Sequence, residues 1–231
     1  MIRIEVWSDI VCPFCYIGKR NLEAALRSFG HRDQVQVVWR SFELDPQARG
    51  DTGLSLDELL ARKYGRSVEW AAHMHEEMTE RAKAAGLEYR FDRVIPANSF
   101  DAHRLTHLAD IHGKREQAAE RLFRGYYTLG ENIGDRGTLV RIATEIGLDA
   151  DEARATLSGE RFAAEVRRDE AEAGELGVNA VPFFHFNRMY AISGAQPVEV
   201  FQRALQAAWN DRDSWFSADP ADGACSIDDQ D

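Results

Sequence analysis

The chain has 231 residues, 44% of them hydrophobic, and a formal net charge of −11. That length and apolar content suit one large domain or a domain carrying a second. The acidic balance argues against nucleic acid as a partner, and three cysteines are too few for a disulfide scaffold. No stretch approaches a membrane span, and a first strand starting at Ile2 leaves no room for a secretory leader, so a cytoplasmic location without membrane contact is expected.

In chain order, Ile2, Ile4 and Val6 alternate with Arg3 and Glu5, as in a half-buried strand. Cys12-Pro13-Phe14-Cys15 follows, and Leu22, Ala25, Leu26 and Phe29 then recur at helical spacing, with Pro13 placed where a first-turn proline loses no hydrogen bond. Residues 35–42 read as a second strand, broken by Asp45-Pro46. Ser55-Leu56-Asp57-Glu58 is a capping box. Helices are expected at 67–85, 99–112, 114–129, 138–147 and 160–176, with Gly86, Gly113, Gly130, Gly147 and Gly177 as stops. Phe183 to Phe186 and Met189 to Ile192 flank Asn187-Arg188 as a hairpin, in which Arg188 fits less well than glycine would. A last helix carries Val198, Phe201, Leu205 and Ala208 on one stripe.

So much helix between the second and third strands exceeds what a parallel crossover needs. The expected architecture is therefore α/β, with residues 1–45 and 178–210 forming one split domain and 46–177 an inserted helical domain. Residues 211–231 hold seven Asp against one Arg and read as an acidic, disordered tail.

A Cys-x-x-Cys between a strand and a helix points to redox chemistry. Cys12 at the helix mouth meets the dipole and free N–H groups, which favour a thiolate, so it is expected to be the exposed nucleophile. Cys15, seven residues before Leu22, joins the buried stripe as the recessed resolving thiol. A half zinc site is the competing reading, but Cys225 stands alone and a structural zinc takes four ligands. His103 and His107, an i, i+4 pair near Asp101, fit packing or surface roles better than ligation. His75-Glu76-Glu77-Met78-Thr79 lacks the second histidine of a metalloprotease motif. No metal is expected.

Ser8 through Gly18, Asn98-Ser99-Phe100-Asp101-Ala102-His103-Arg104, Val181-Pro182-Phe183 and Ser193-Gly194-Ala195-Gln196 resemble, in that order, DsbA-like thioredoxin-fold proteins. They are most similar to the cytoplasmic FrnE-like branch, and the resemblance spans Ile2 to about Trp209. It implies a thioredoxin-like fold with a large helical insertion, disulfide oxidoreductase or isomerase activity, and a cis Val181-Pro182 peptide facing the cysteines. Without it, an X-Pro bond would be taken as trans. The resemblance makes Pro182 part of the catalytic set with Cys12 and Cys15, and Pro13, Phe14, Val181, Asn98, His103 and Arg104 candidates for substrate binding. From the residues alone, Asn98 is a helix cap, His103 and Arg104 are ordinary polar-face residues, and Asp9 is either a cap or a nearby proton acceptor.

Two departures stand out. Some FrnE-like relatives carry a C-x-x-x-x-C pair in the tail, whereas here Cys225 is followed five positions on by Gln230; Cys225 is expected to be dispensable. Phe14 stands where periplasmic DsbA has a histidine. The expected partners are thiol- or disulfide-bearing proteins or small molecules, with no cofactor beyond glutathione as a redox partner. The alternative is a glutathione-dependent isomerase or transferase similar to 2-hydroxychromene-2-carboxylate isomerases and kappa-class transferases, which generally have serine at the Cys12 position. A non-enzymatic redox sensor is a third reading.

Overall fold

A computed structural model describes residues 1–50 and 52–212. The expectations for Cys225 and the acidic tail beyond Arg212 lie outside the described residues. Strand β1 (Ile2–Ser8) leads into helix α1 (Pro13–Ser28), and strand β2 (Val35–Ser41) follows. Then come α2 (Leu56–Tyr64), α3 (Val68–Ala84), α4 (Phe100–Ile111), α5 (Arg115–Arg124), a π-helical turn (Gly125–Leu129), α6 (Arg136–Glu145), α7 (Ala150–Ser158) and α8 (Ala163–Glu175). The chain returns through β3 (Phe183–Phe186) and β4 (Tyr190–Ser193) and ends the described part in α9 (Val198–Asn210).

All four strands share one sheet in the order β2-β1-β3-β4. β1 pairs parallel with β2, antiparallel with β3, and β3 antiparallel with β4. This is a thioredoxin-like fold with a helical insertion. The strand expected at Ile2–Val6 forms, but it is buried on both faces rather than half-buried, with Arg3 exposed and Glu5 1% exposed; Ile2, Ile4 and Val6 pack with Leu22 and Ala25 of α1 and with Phe201, Leu205 and Ala208 of α9. Burying each such large side chain contributes about 1.5–3 kcal/mol. Trp7 points to the opposite face and joins a second apolar cluster built mainly from the inserted helices.

The five expected glycine stops all have φ between +66° and +77°, the left-handed region where glycine carries no Cβ penalty. The Ser55 capping box forms, with Ser55 accepting from the Glu58 amide and Glu58 reaching back. Three expectations need correction. The helix over 114–129 changes to a π turn at Gly125, because one extra residue enters the coil there. Helix α7 was missed: its buried positions are mostly small (Ala153, Thr156, Leu157) and give little apolar signal, although Asp149 caps it through the Glu152 amide. The hairpin loop is one residue longer than expected, Asn187 to Met189. Asn187 and Arg188 have φ of +49° and +55°, and Arg188 is anchored there by Glu5 at 3.0 Å and by Glu172.

Candidate active site

Cys12 is the N-cap residue of α1, and Pro13 is its first residue. The preceding loop closes on itself, the Cys12 amide donating to Asp9 O at 3.1 Å and the Cys15 amide to Cys12 O at 3.0 Å. Both cysteines are free thiols. The Cys12 thiol donates to the Val181 carbonyl at 3.4 Å, and the Val181–Pro182 peptide is cis. Cys15 Sγ accepts the Asp9 amide at 3.4 Å. Further along α1, a Cβ on Gly18 would lie 2.9 Å from Pro182 Cγ and 3.0 Å from Phe184 Cζ. Glycine there lets the proline segment lie against the helix.

Cys12 is not exposed as expected. It is 3% exposed against 1% for Cys15, because the inserted helices bring an aromatic layer onto the cysteine loop. Both thiols belong to the cluster that holds Tyr89, Phe123, Tyr126 and Tyr127. The Tyr89 hydroxyl donates to Pro13 O at 2.6 Å, and its ring stacks on Tyr127 at 4.5 Å. Tyr16 stacks on Phe123 at 4.9 Å. Burial, reinforced by the adjacent Cys12 sulfur, pushes the Cys15 thiol well up, while the Ser8 hydroxyl and Asp9 amide pull it down. Burial likewise raises Tyr89 and Tyr127.

A charged clamp fixes α1 to the insert. Lys19, 2% exposed, and Arg20 both donate to Glu120 of α5, at 2.8 and 2.9 Å, and the Tyr16 hydroxyl donates to it at 2.6 Å. Burial would raise the Glu120 carboxyl, but these donors outweigh it and hold it at about 2.

The structure separates the sequence-derived substrate candidates. Pro13 is half-buried and Phe14 is 36% exposed at the helix mouth, and Val181 reaches Cys12 through its carbonyl. His103 is brought to the site but is 3% exposed, its Nε2 3.4 Å from Asp9 Oδ1 without hydrogen-bond geometry. Asn98 acts as a brace. Its Oδ1 accepts the Phe100 amide at 2.9 Å, and its Nδ2 donates to Pro46 O and to Glu43. Arg104 is corrected outright. It is 2% exposed and its donors are taken by Asp101 and by the carbonyls of Thr156, Gly159 and Arg161, so it ties α4 to the α7–α8 region and offers nothing to a substrate. His107 and Asp101 are likewise occupied, by Asp169 and by Arg104 with Arg136. Asp9, 0% exposed, does not cap α1, whose N-cap Cys12 has no side-chain cap bond; its Oδ1 accepts the Val11 amide at 3.3 Å and its Oδ2 the Leu44 amide at 2.8 Å. Reading the sequence missed Tyr89, Tyr127, Glu43 and Gly18. Among them Gly18 carries a signal as the last residue of the Ser8–Gly18 motif, and Tyr127 as one of two adjacent tyrosines following the buried Leu122 and Phe123.

Comparison with known proteins agrees with this geometry. The Bacillus subtilis (strain 168) protein YwbO, itself uncharacterised, is 28% identical over 207 residues, covering 88% of this chain and 96% of its own. The crystal structure of the probable DsbA oxidoreductase SCO1869 from Streptomyces coelicolor is 45% identical, covers 92% of both chains and superposes with a TM-score of 0.87. The cytosolic disulfide reductase DsbM from Pseudomonas aeruginosa shares the fold at 19% identity, with a TM-score of 0.64 and coverage of 90% of this chain and 98% of its own. A family profile described as DSBA-like thioredoxin domain matches residues 3–206. With that match, the sheet order and the cysteine loop on α1, the chain belongs to the DSBA-like thioredoxin domain family and is a DsbA-like thiol–disulfide oxidoreductase.

Proposed function

We propose that Cys12 is the attacking sulfur and Cys15 the resolving thiol of a two-cysteine exchange acting on protein or small-molecule disulfides. The observation that carries this reading is the asymmetry of the pair. Cys12 sits at the N-cap beside the Val181 carbonyl, and Cys15 lies one turn inside, with its thiol held up by burial. Cys12 attacks one substrate sulfur and the other leaves as a thiolate. Cys15 then gives up its proton and attacks the Cys12 sulfur. The second substrate thiol departs, and the Cys12–Cys15 disulfide takes up the two electrons' worth of oxidation. Two equivalents of an external thiol reverse that change, the first forming a mixed disulfide on Cys12 and the second releasing it as the external disulfide, and glutathione is the proposed donor in a cytoplasmic setting. DsbM has been solved with GSH, so this fold accommodates that tripeptide. Phe14, Pro13 and Val181 frame the approach to Cys12 and are proposed to contact the substrate chain. The near-complete burial of Cys12 favours small disulfides, or locally unfolded ones, over those fixed in a folded surface.

A fold shared with 2-hydroxychromene-2-carboxylate isomerase, at 17% identity and a TM-score of 0.67, keeps a glutathione-dependent isomerase in view. The intact cysteine pair favours exchange. An insulin-reduction assay run beside a glutathione-conjugation assay separates the two, with reductase activity expected and conjugation alone overturning the proposal. Cys15→Ser should accumulate a reductant-sensitive adduct on Cys12, and Cys12→Ser should form none and lose activity. Adducts forming equally on Cys15 in the Cys12→Ser protein would reverse the roles.

A further inference from the structure

Pro13 and Phe14 are the first two residues of α1, so the Pro13 carbonyl and the Phe14 N–H are the two ends of one peptide group. The Phe14 amide lies in the first turn, where amides have no intrahelical acceptor. An N-cap side chain takes its bond from the second or third amide of the helix. Here the third, that of Cys15, is given to Cys12 O at 3.0 Å. As a thiol, Cys12 makes no cap bond and donates to Val181 O. Once ionised its sulfur can only accept, and the Phe14 N–H is the helix donor left to it.

The other end of that peptide is held by the insert. The hydroxyl of Tyr89, a residue 3% exposed between α3 and α4, donates to Pro13 O at 2.6 Å. Its ring is fixed from several sides, stacked on Tyr127 at 4.5 Å and on Tyr16 at 6.2 Å and met edge-on by Phe91 at 5.5 Å. The flanking backbone is tied to the π turn: the Arg90 amide donates to Tyr127 O at 2.7 Å, and the Thr128 hydroxyl to Glu88 O at 2.7 Å. A bond accepted at a peptide oxygen draws charge from the nitrogen through the resonance that keeps the group planar, and its N–H becomes a stronger donor.

We propose that Tyr89 is a positioning residue for the exchange: through the Pro13–Phe14 peptide it orients and strengthens the N–H that stabilises the ionised Cys12 sulfur. This rests on the role given above to Cys12 as the attacking sulfur. The effect is confined to the reduced, ionised pair, because neither a thiol nor a disulfide at Cys12 accepts that N–H with comparable strength. A reduced form stabilised in this way makes the pair a stronger oxidant, so the insert sets part of the poise of the cysteines. The other titratable groups around the cysteine loop are Cys15 and Asp9 beside it, Tyr16 on α1, His103 on α4 and Tyr127 in the π turn. All are present in a Tyr89→Phe protein, so comparison with the parent at each pH isolates the one hydroxyl.

The full chain carrying Cys225→Ser, with and without Tyr89→Phe or Tyr127→Phe, is equilibrated with reduced and oxidised glutathione from about pH 5 to about pH 9, and the disulfide fraction is read after thiol trapping. Both substitutions keep the ring and its stacks. The Tyr127 hydroxyl is buried without a hydrogen-bond partner, so its removal controls for packing. Tyr89→Phe should shift the equilibrium toward the disulfide by about two- to threefold at the alkaline end, a fraction of one hydrogen bond's net worth. The shift should vanish at the acid end, where the reduced form is all thiol, and Tyr127→Phe should show none. No shift in Tyr89→Phe, a shift independent of pH, or equal shifts in both variants overturns the proposal. If Tyr89→Phe does not fold, proton NMR of the parent reads the same link. The Tyr89 hydroxyl proton should move downfield as the Cys12 thiolate forms and stay in place in the disulfide form; a proton indifferent to the thiolate overturns the proposal. Iodoacetamide labelling Cys15 ahead of Cys12 in the parent overturns the exchange roles themselves, a failure distinct from the first.

Discussion

Phe14, between the two cysteines and 36% exposed, offers the Cys12 sulfur neither a donor nor a charge. A pair whose reduced form lacks that support is a weaker oxidant, so the potential is expected between about −270 mV and about −120 mV, the thioredoxin and DsbA values. Phe14→His places an N–H or positive charge beside the reduced pair and should move the potential upward by about 30 mV or more, equivalent to about 1.4 kcal/mol. Equilibration against glutathione buffers measures both proteins. A potential unchanged by the histidine would mean that this side chain does not act on the cysteines. At this scale Cys12 and Cys15 are legible in their identity and spacing, whereas Pro182 is marked only by the family resemblance, since an X-Pro bond read alone is taken as trans. Burial was not legible. Nothing local to Cys12 tells that Tyr89, some 77 positions away in the chain, donates to the carbonyl of Pro13 beside it.

Helix α1 must approach the Pro182 segment on one side and the insert on the other, and Gly18 permits the first contact. Its φ is unexceptional, so the sequence alone marked it only as part of a family motif; the reason for glycine is the space a Cβ would occupy. Pro182 Cγ belongs to a ring and cannot swing away. Gly18→Ala should therefore cost about 1–3 kcal/mol by overpacking, in spite of alanine's better helix propensity. It should also slow insulin reduction by shifting Val181 relative to Cys12. Urea unfolding and a turnover assay read the two effects. A stabilised Gly18→Ala with full activity would show that the segment yields freely. Elements whose apolar stripe is large, such as α1 and α9, were legible end to end. Helix α7, buried largely through alanine and threonine, was not, and neither was the π turn, whose extra residue leaves no mark in hydrophobic spacing.

The whole molecule is held together across a polar seam centred on Asp169 of α8, 1% exposed. Its carboxylate accepts the Ser41 amide at 3.0 Å and Arg40 at 3.0 Å from β2, and lies 3.2 Å from His107 Nε2 of α4; its backbone carbonyl accepts the Trp7 indole N–H at 2.9 Å. Arg115 lies toward His107 Nδ1 at 3.3 Å, which assigns the ring proton to Nε2. Burial lowers the His107 value, with Asp169 opposing and Arg115 assisting. A histidine whose folded value lies below the unfolded value of about 6.5 binds fewer protons folded than unfolded. Stability is therefore full above that unfolded value and falls as the pH drops below it, until the folded form also protonates. The packing of the insert against β2 should accordingly weaken on the acid side of about pH 6.5, and His107→Gln should flatten that part of the profile. Asp169→Asn removes the negative charge from among Arg40, Arg115 and His107 and should cost about 3–5 kcal/mol, the range for breaking a buried pair. Equilibrium unfolding from pH 5 to 8 on the three proteins tests both statements. An acid limb that persists unchanged in His107→Gln would assign it to other groups, and an Asp169→Asn protein as stable as the parent would show that the arginines find other partners across the seam.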